Sequence, residues 1–387
     1  MTSVLHRQRG RGIAVPLSIA VALDSGSVSD RVSVRTVFSV LDPGDGWIAL
    51  DLRLWPPRES QVRTSLRGDT EFDRGMLYLP APRDPAGHET LEIDFHWRHA
   101  PSEMGQITAF PHALPSFMLH DRPGQPPSFE LPEISVQLGP TAPSTHVVWP
   151  RPRLLDVDAL HSSRDTWAIA AAFSEDPELV QIGAVTLVVH DRARLNVSDR
   201  VFTQIVEAVA SCVEVCEERL GVSAPAALLM VPPGSLAPQL HGECPGVVSL
   251  THTDDGELDD PFNLHFEVGR QLASVWWGGA CRLFGPDAVA WEAAIGGVVG
   301  LCTAARVGTP EQIEQLLTYY DSMGRRSPVG LLFDRWSGRA DLRSAGQLAA
   351  AMSRRELDGD HLLDRLTRAC WARWTSQSVI ASMIGHL

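Results

Sequence analysis

The sequence predicts an α+β fold: a β-rich, sandwich-like domain over residues 1–195, then a mostly helical domain over residues 196–387. Three observations predict it. Short alternating or β-branched stretches punctuated by turn residues fill the first half. A 3.6-residue apolar period sets in after Asn196. With 44% hydrophobic and 21% charged residues over 387 positions, the chain lies in the globular range and can bury two cores.

The N-terminus needs a decision. His6, Arg7, Arg9 and Arg11 precede an apolar run, Ile13 to Leu23, with Ala20-Val21-Ala22 near its end, which imitates a secretory leader. Pro16 and Ser18 interrupt the run and the chain continues in strand-like style, so the run predicts a first β-strand and a cytoplasmic protein. Further strands are expected at 31–41, 47–54, 90–97 and 182–190, with turns at Asp42-Pro43-Gly44 and Asp84-Pro85-Ala86-Gly87. In Leu91-Glu92-Ile93-Asp94-Phe95-His96-Trp97 the apolar side chains fall on one face, the pattern of a half-buried strand. Proline-rich stretches at 122–132 and 139–152, broken by Phe129, Val147, Val148 and Trp149, predict ordered loops.

Ser198 and Asp199 are helix-start residues, and Ile205, Val209, Val213, Cys216 and Leu220 recur at helical spacing up to Gly221. A short strand is expected at 227–231, then helices to Leu387 with breaks at Pro310, Gly324 and Gly338.

Composition excludes several function classes. A net charge of −14 without a basic run repels a phosphate backbone, so nucleic acid is not an expected partner. No stretch of about 20 apolar residues predicts a membrane span. All 33 basic residues are Arg, which removes Schiff-base and Lys acid–base chemistry. No G-x-S-x-G elbow or phosphate-binding Gly loop occurs. The six cysteines, Cys212, Cys216, Cys244, Cys281, Cys302 and Cys370, give no zinc framework; Cys212 and Cys216, one helical turn apart on an apolar face, predict buried thiols.

Four local patterns carry a more specific signal: His241-Gly242-Glu243-Cys244-Pro245-Gly246; Arg270-Gln271-Leu272-Ala273-Ser274-Val275-Trp276-Trp277-Gly278; Trp291-Glu292-Ala293-Ala294-Ile295-Gly296-Gly297; and Arg343-Ser344-Ala345-Gly346, followed by Leu357-Asp358-Gly359-Asp360-His361. Their order, behind a β-rich half, resembles the aminopeptidase N-type gluzincins, whose catalytic domain is thermolysin-like. The resemblance implies a retained skeleton and altered chemistry. Arg270 and Ser274 stand where that family has its H-E-x-x-H zinc histidines, and Gln271 stands at the general base. Arg has no lone pair to offer a metal, and a Ser hydroxyl is a poor zinc ligand. The third ligand position falls on Ala293 or Ala294, with Glu292 displaced by about 100° to 200° of helix. Glu243 matches the Glu that holds a substrate's free amino group, while Cys244 replaces the neighbouring Asn and Leu240 the leading Gly. Arg343 matches the Tyr that steadies the tetrahedral intermediate, and 357–361 resembles a helix start.

The candidate ligand-binding set is therefore Glu243, Glu267, Arg270, Gln271, Ser274, Glu292 and Arg343, with no metal and no cofactor expected. Arg270 and Arg343 can pair with Glu243, Glu267 or Glu292 as a salt-bridge plug, or leave a guanidinium fork open for a carboxylate or oxyanion. If the chain is an enzyme, Glu243, His241, Arg270 and Arg343 are its catalytic set; His241 and His265 with Glu267 can make an acid–base set, although a surface or satisfied core histidine is the commoner outcome. His252, Asp254 and Asp255 read as a solvated loop, although a metal on an unfamiliar set from His241, His252, His265 and Glu267 is a third reading. Trp276, Trp277 and Trp291 read as core. The functional expectation is a metal-free pseudopeptidase that binds a peptide, a small amine-bearing ligand or a partner protein. The alternative is a repurposed zinc-independent enzyme of specialised metabolism or peptide maturation. The sequence carries no signal of oligomeric state.

Overall fold

The structure, a computed structural model, describes residues 10–25, 29–51, 61–73, 76–83, 87–98, 107–109, 116–117, 126–138, 146–148, 154–155, 170–172, 178–182, 185–189, 198–220, 227–231, 247–249, 260–277, 281–285, 288–323, 342–371 and 373–384. The first half is β1 (Ile13–Ser25), β2 (Ser29–Asp42), β3 (Trp47–Asp51), β4 (Gln61–Thr64), β5 (Glu71–Asp73), β6 (Met76–Pro80), β7 (Glu89–Arg98), β8 (Ile107–Ala109), β9 (Ser116–Phe117), β10 (Ser128–Glu130), β11 (Glu133–Leu138), β12 (His146–Val148), β13 (Leu154–Leu155), β14 (Ala170–Ala172), β15 (Glu178–Ile182) and β16 (Val185–Val189). The second half contains α1 (Asp199–Leu220), β17 (Ala227–Val231), β18 (Val247–Ser249), α2 (Pro261–Trp276), β19 (Cys281–Phe284), α3 (Ala288–Ala304), α4 (Pro310–Met323), α5 (Leu342–Leu357), α6 (Leu362–Cys370), β20 (Arg373–Ser376) and α7 (Gln377–Ile384).

Two sheets, ordered β11-β1-β2-β7-β4 and β5-β6-β3-β9, share one apolar core. Phe38, Leu91 and Ile93 from the first meet Ile48, Leu50, Leu77 and Leu79 from the second. Alternation explains the layering, because inward positions of β7 are apolar while Glu92 pairs across the strand with Arg35 and Asp94 accepts from Ser33. The apolar run starting at Ile13 lies inside the sheet, flanked by β2 antiparallel and β11 parallel. Two further sheets are ordered β13-β12-β14-β8 and β10-β20-β19.

The sheet β15-β16-β17-β18 is parallel from β16 onward. Helix α1 makes the crossover from β16 to β17 that a parallel pair requires. The Ser198 hydroxyl accepts from Val201 N at 3.3 Å to start α1, and Ile205, Val209, Cys212, Cys216 and Leu220 form its buried stripe. Asp260 caps α2 through Phe262 N at 3.0 Å, with Pro261 in the first turn. Helices α2 and α3 approach closely because two contact residues lack side chains: a Cβ on Gly269 would stand 2.6 Å from Thr303 Oγ1, and one on Gly300 2.7 Å from the Phe266 carbonyl oxygen.

Several expectations are adjusted. The expected strand at 182–190 is two elements, Ile182 ending β15 and Val185–Val189 forming β16. The proline-rich stretches contain strands: β10 pairs with β20 (Phe129 opposite Trp374) and β12 pairs with β13 and β14. Gly221, Gly324 and Gly338 lie outside the described residues, but α1 ends at Leu220, α4 at Met323, and Pro310 opens α4. The segment 357–361 is followed by a helix start at Leu362, with Gly359 at φ +87° and His361 at φ 49° making the turn. Among the described residues no helix is long and apolar enough to cross a membrane.

Candidate functional site

Helix α2 turns Leu264, Val268, Leu272 and Trp276 into the core. Its other side carries Glu267 and Arg270, one turn apart. Arg270 donates through Nε and Nη2 to the same oxygen, Glu267 Oε2, at 3.0 and 2.7 Å. Their side chains keep 38% and 41% of their exposure, so the pair lies at the edge of the packed helices rather than in the core. Burial works against the charge on Arg270, and the Glu267 carboxylate more than offsets it, so the pKa moves up and the guanidinium stays protonated.

Helix α3 supplies the floor on which Arg270 lies. A Cβ on Gly300 would stand 3.2 Å from Arg270 Cβ, and one on Gly296 3.9 Å from Arg270 Cγ. Tyr320 of α4 reaches the same floor, its hydroxyl 3.7 Å from where a Gly297 Cβ would be. Its ring tilts against Phe266 of α2 with centroids 5.8 Å apart. Burial holds the Tyr320 phenol protonated well above its ordinary range, while the neighbouring Arg270 charge pulls the other way. Sequence reasoning missed Tyr320. The only available signal was that two of the chain's three tyrosines are the adjacent Tyr319 and Tyr320.

The other candidate residues are distributed as follows. Gln271 is buried beside the pair and has an interaction of its own. Glu292 is turned to strand β19, accepting from Leu283 N at 2.8 Å and lying 3.9 Å from Arg282. His265 is buried, its Nδ1 2.8 Å from the Pro261 carbonyl; burial lowers its pKa, outweighing that bond, and keeps the ring neutral. Arg343 belongs to α5 and Ser274 to α2, but their side chains lie outside the described residues. So do His241, Glu243, Cys244, His252, Asp254 and Asp255. Trp276 and Trp277 are core, as read from the sequence, and Trp277 Nε1 donates to Thr367 Oγ1 at 3.2 Å. Trp291 packs partly buried against the same core. Cys212, Cys216, Cys281, Cys302 and Cys370 are buried free thiols, the first two with sulfurs 3.9 Å apart.

Zinc is the metal that the resemblance brings to mind, and the residues on this face of α2 do not fit it. A protonated guanidinium tied to Glu267 puts a cation there and offers no lone pair. Among the described residues no three His, Cys, Asp or Glu side chains are grouped to hold a metal. The arrangement offers instead a cation, a phenolic hydroxyl and a carboxylate.

No family model and no curated protein sequence matches the chain. Solved structures do. Yeast LTA4 hydrolase in complex with bestatin superposes with a TM-score of 0.63 at 11% identity, over 97% of this chain and 66% of that one. A mutant of an M1 zinc metallopeptidase from Deinococcus radiodurans superposes with a TM-score of 0.57 at 15% identity, over 97% of this chain and 91% of that one. This chain thus spans about two thirds of the yeast protein's length. At such identities the likeness establishes architecture and nothing finer: the chain has the fold of the M1 zinc metallopeptidases.

Proposed function

We propose that this protein is a metal-free pseudopeptidase, which binds a peptide, an amine-bearing ligand or a partner protein in a cleft inherited from the zinc aminopeptidases and does not hydrolyse it. The observation that carries the reading is the Arg270–Glu267 ion pair at 2.7 Å on α2. In the motif alignment Arg270 stands at a zinc histidine, and a permanently charged guanidinium there is incompatible with a bound dication. Glu243, aligned with the amine-binding Glu, is the residue assigned to the ligand's ammonium group. Two domains, 1–195 and 196–387, belong to the same proposal. So does a cytoplasmic location, supported by the placement of Ile13–Ser25 inside the first sheet.

The test is elemental analysis of the purified, untagged protein, with an aminopeptidase assay over a panel of amino-acid amides. The expected result is no stoichiometric metal and no hydrolysis, with leucinamide bound by the native protein and not by Glu243→Gln. Stoichiometric zinc or metal-dependent hydrolysis would overturn the reading. Turnover of a ligand without metal, lost on Glu243→Gln with binding retained, would replace it with a repurposed enzyme.

A further inference from the structure

We propose that Arg270 and Tyr320, brought together on the glycine face of α3, form a subsite for the carboxylate of the bound ligand. The inference rests on the cleft reading above and adds what the ligand must carry at the end away from its amine: a free carboxylate, as in an amino acid or a short peptide.

The argument begins with valence. Arg270 spends Nε and one Nη2 hydrogen on a single Glu267 oxygen, a side-on pairing that leaves Nη1 without a partner among the described residues. A guanidinium closed off by its own carboxylate would use both carboxylate oxygens in a fork. Here the outer edge of the fork remains available, on a side chain with 38% of its exposure.

Tyr320 supplies a second donor. Its ring packs against Phe266, Tyr319 and the apolar cluster around Leu317 and Ala350, its hydroxyl end lies over Gly297, and among the described residues that hydroxyl has no hydrogen-bond partner. Neutral and protonated, the phenol can only gain by donating to an anion. Gly296 and Gly300 leave room for the Arg270 stem and Gly297, one residue on, for the hydroxyl end of Tyr320, so α3 seats both groups near enough for the Arg270 charge to act on the phenol. The free edge of a guanidinium near a neutral hydroxyl donor is complementary to a carboxylate. Glu267 steadies the guanidinium and repels an anion from its own side, which directs a ligand to Nη1 and Tyr320.

The experiment is calorimetric titration of the full chain with two probes, N-acetyl-leucine (carboxylate, no amine) and leucinamide (amine, no carboxylate). Native protein, Tyr320→Phe and Arg270→Gln are compared, with thermal melts confirming that each variant is folded. N-acetyl-leucine affinity is expected to fall about tenfold in Tyr320→Phe, the loss typical of one hydrogen bond to a charged group. It should vanish in Arg270→Gln and weaken with added chloride, and in both variants N-acetyl-leucine must lose at least tenfold more affinity than leucinamide does. Leucinamide binding without N-acetyl-leucine binding would overturn the carboxylate subsite and leave the cleft reading standing. Equal N-acetyl-leucine affinity in all three proteins would also overturn it. Failure of both probes to bind would remove both readings.

Discussion

Arg219 of α1 reaches across to Glu356 at the end of α5, Nη1 to Oε1 at 3.4 Å, while the other Glu356 oxygen accepts from Leu363 N at 2.9 Å. Glu356 is fully buried, so one carboxylate ties three helices together and satisfies an orphan donor in the first turn of α6. Removing it leaves a buried N–H unsatisfied and takes the carboxylate from the partly buried Arg219, which keeps only the Glu356 carbonyl. Glu356→Ala is expected to lose on the order of 3 kcal/mol of stability in urea unfolding. A loss below about 1 kcal/mol would show that α1, α5 and α6 are held by apolar packing alone.

The glycines of α3 are not equivalent. A Cβ at Gly300 would meet the Phe266 carbonyl oxygen at 2.7 Å, whereas at Gly297 the nearest atom is Ala349 Cβ at 3.4 Å. Gly300→Ala must push α2 and α3 apart and should lower the melting temperature by several degrees, in the range of about 1–3 kcal/mol for overpacking. Gly297→Ala fits at ordinary contact and should gain up to about 1 kcal/mol from helix propensity. Differential scanning calorimetry of the two variants decides it, and equal shifts would contradict the close approach at Gly300.

Stability should decline on both sides of a neutral plateau. His265 is held neutral, its pKa depressed by burial, so its contribution is full above the ordinary value of 6.5 and is lost as pH falls through and below that value. The buried thiols act on the alkaline side. Burial pushes Cys302 up to about 12 and Cys370 up to about 11, so the unfolded chain releases these protons first. Their contribution is full below the ordinary 9.0 and is lost as pH rises from there towards the folded values. Urea midpoints between pH 5 and 10.5 check the shape. A thiol-reactive probe at pH 8 should leave the five buried cysteines unmodified until denaturant is added.

Arg270→Gln is expected to leave stability within about 1 kcal/mol of the native protein, because both members of its ion pair are partly exposed, at 38% and 41%, and solvent screens them. Thermal melts of this variant measure it. A large loss would mean that the pair is a structural plug.

Local pattern made much of this fold legible. Helix α1 ends where Ser198 and Gly221 place it, and β17 covers the expected 227–231, since caps and periodicity are written in adjacent residues. The proline-rich stretches misled for the opposite reason. Phe129 becomes a strand residue only because Trp374 pairs with it from the far end of the chain, and its ring meets Phe284 at 5.7 Å. The strand that Glu292 serves through Leu283 N and Arg282 was not legible, because β19 forms only by pairing with β20 near the end of the chain.

By itself the sequence determined the α+β layout and, among the described residues, the burial of the thiols and of Trp276 and Trp277. Each is carried by residue type and short-range spacing, which physical chemistry reads without a partner. Only the tertiary structure decided that Tyr320 of α4 comes to lie against Phe266 of α2 with its hydroxyl over Gly297 of α3, and that β10 closes against β20. Those contacts join segments far apart in the chain. Their existence depends on helix crossings and strand pairings that leave no periodic trace in either segment alone.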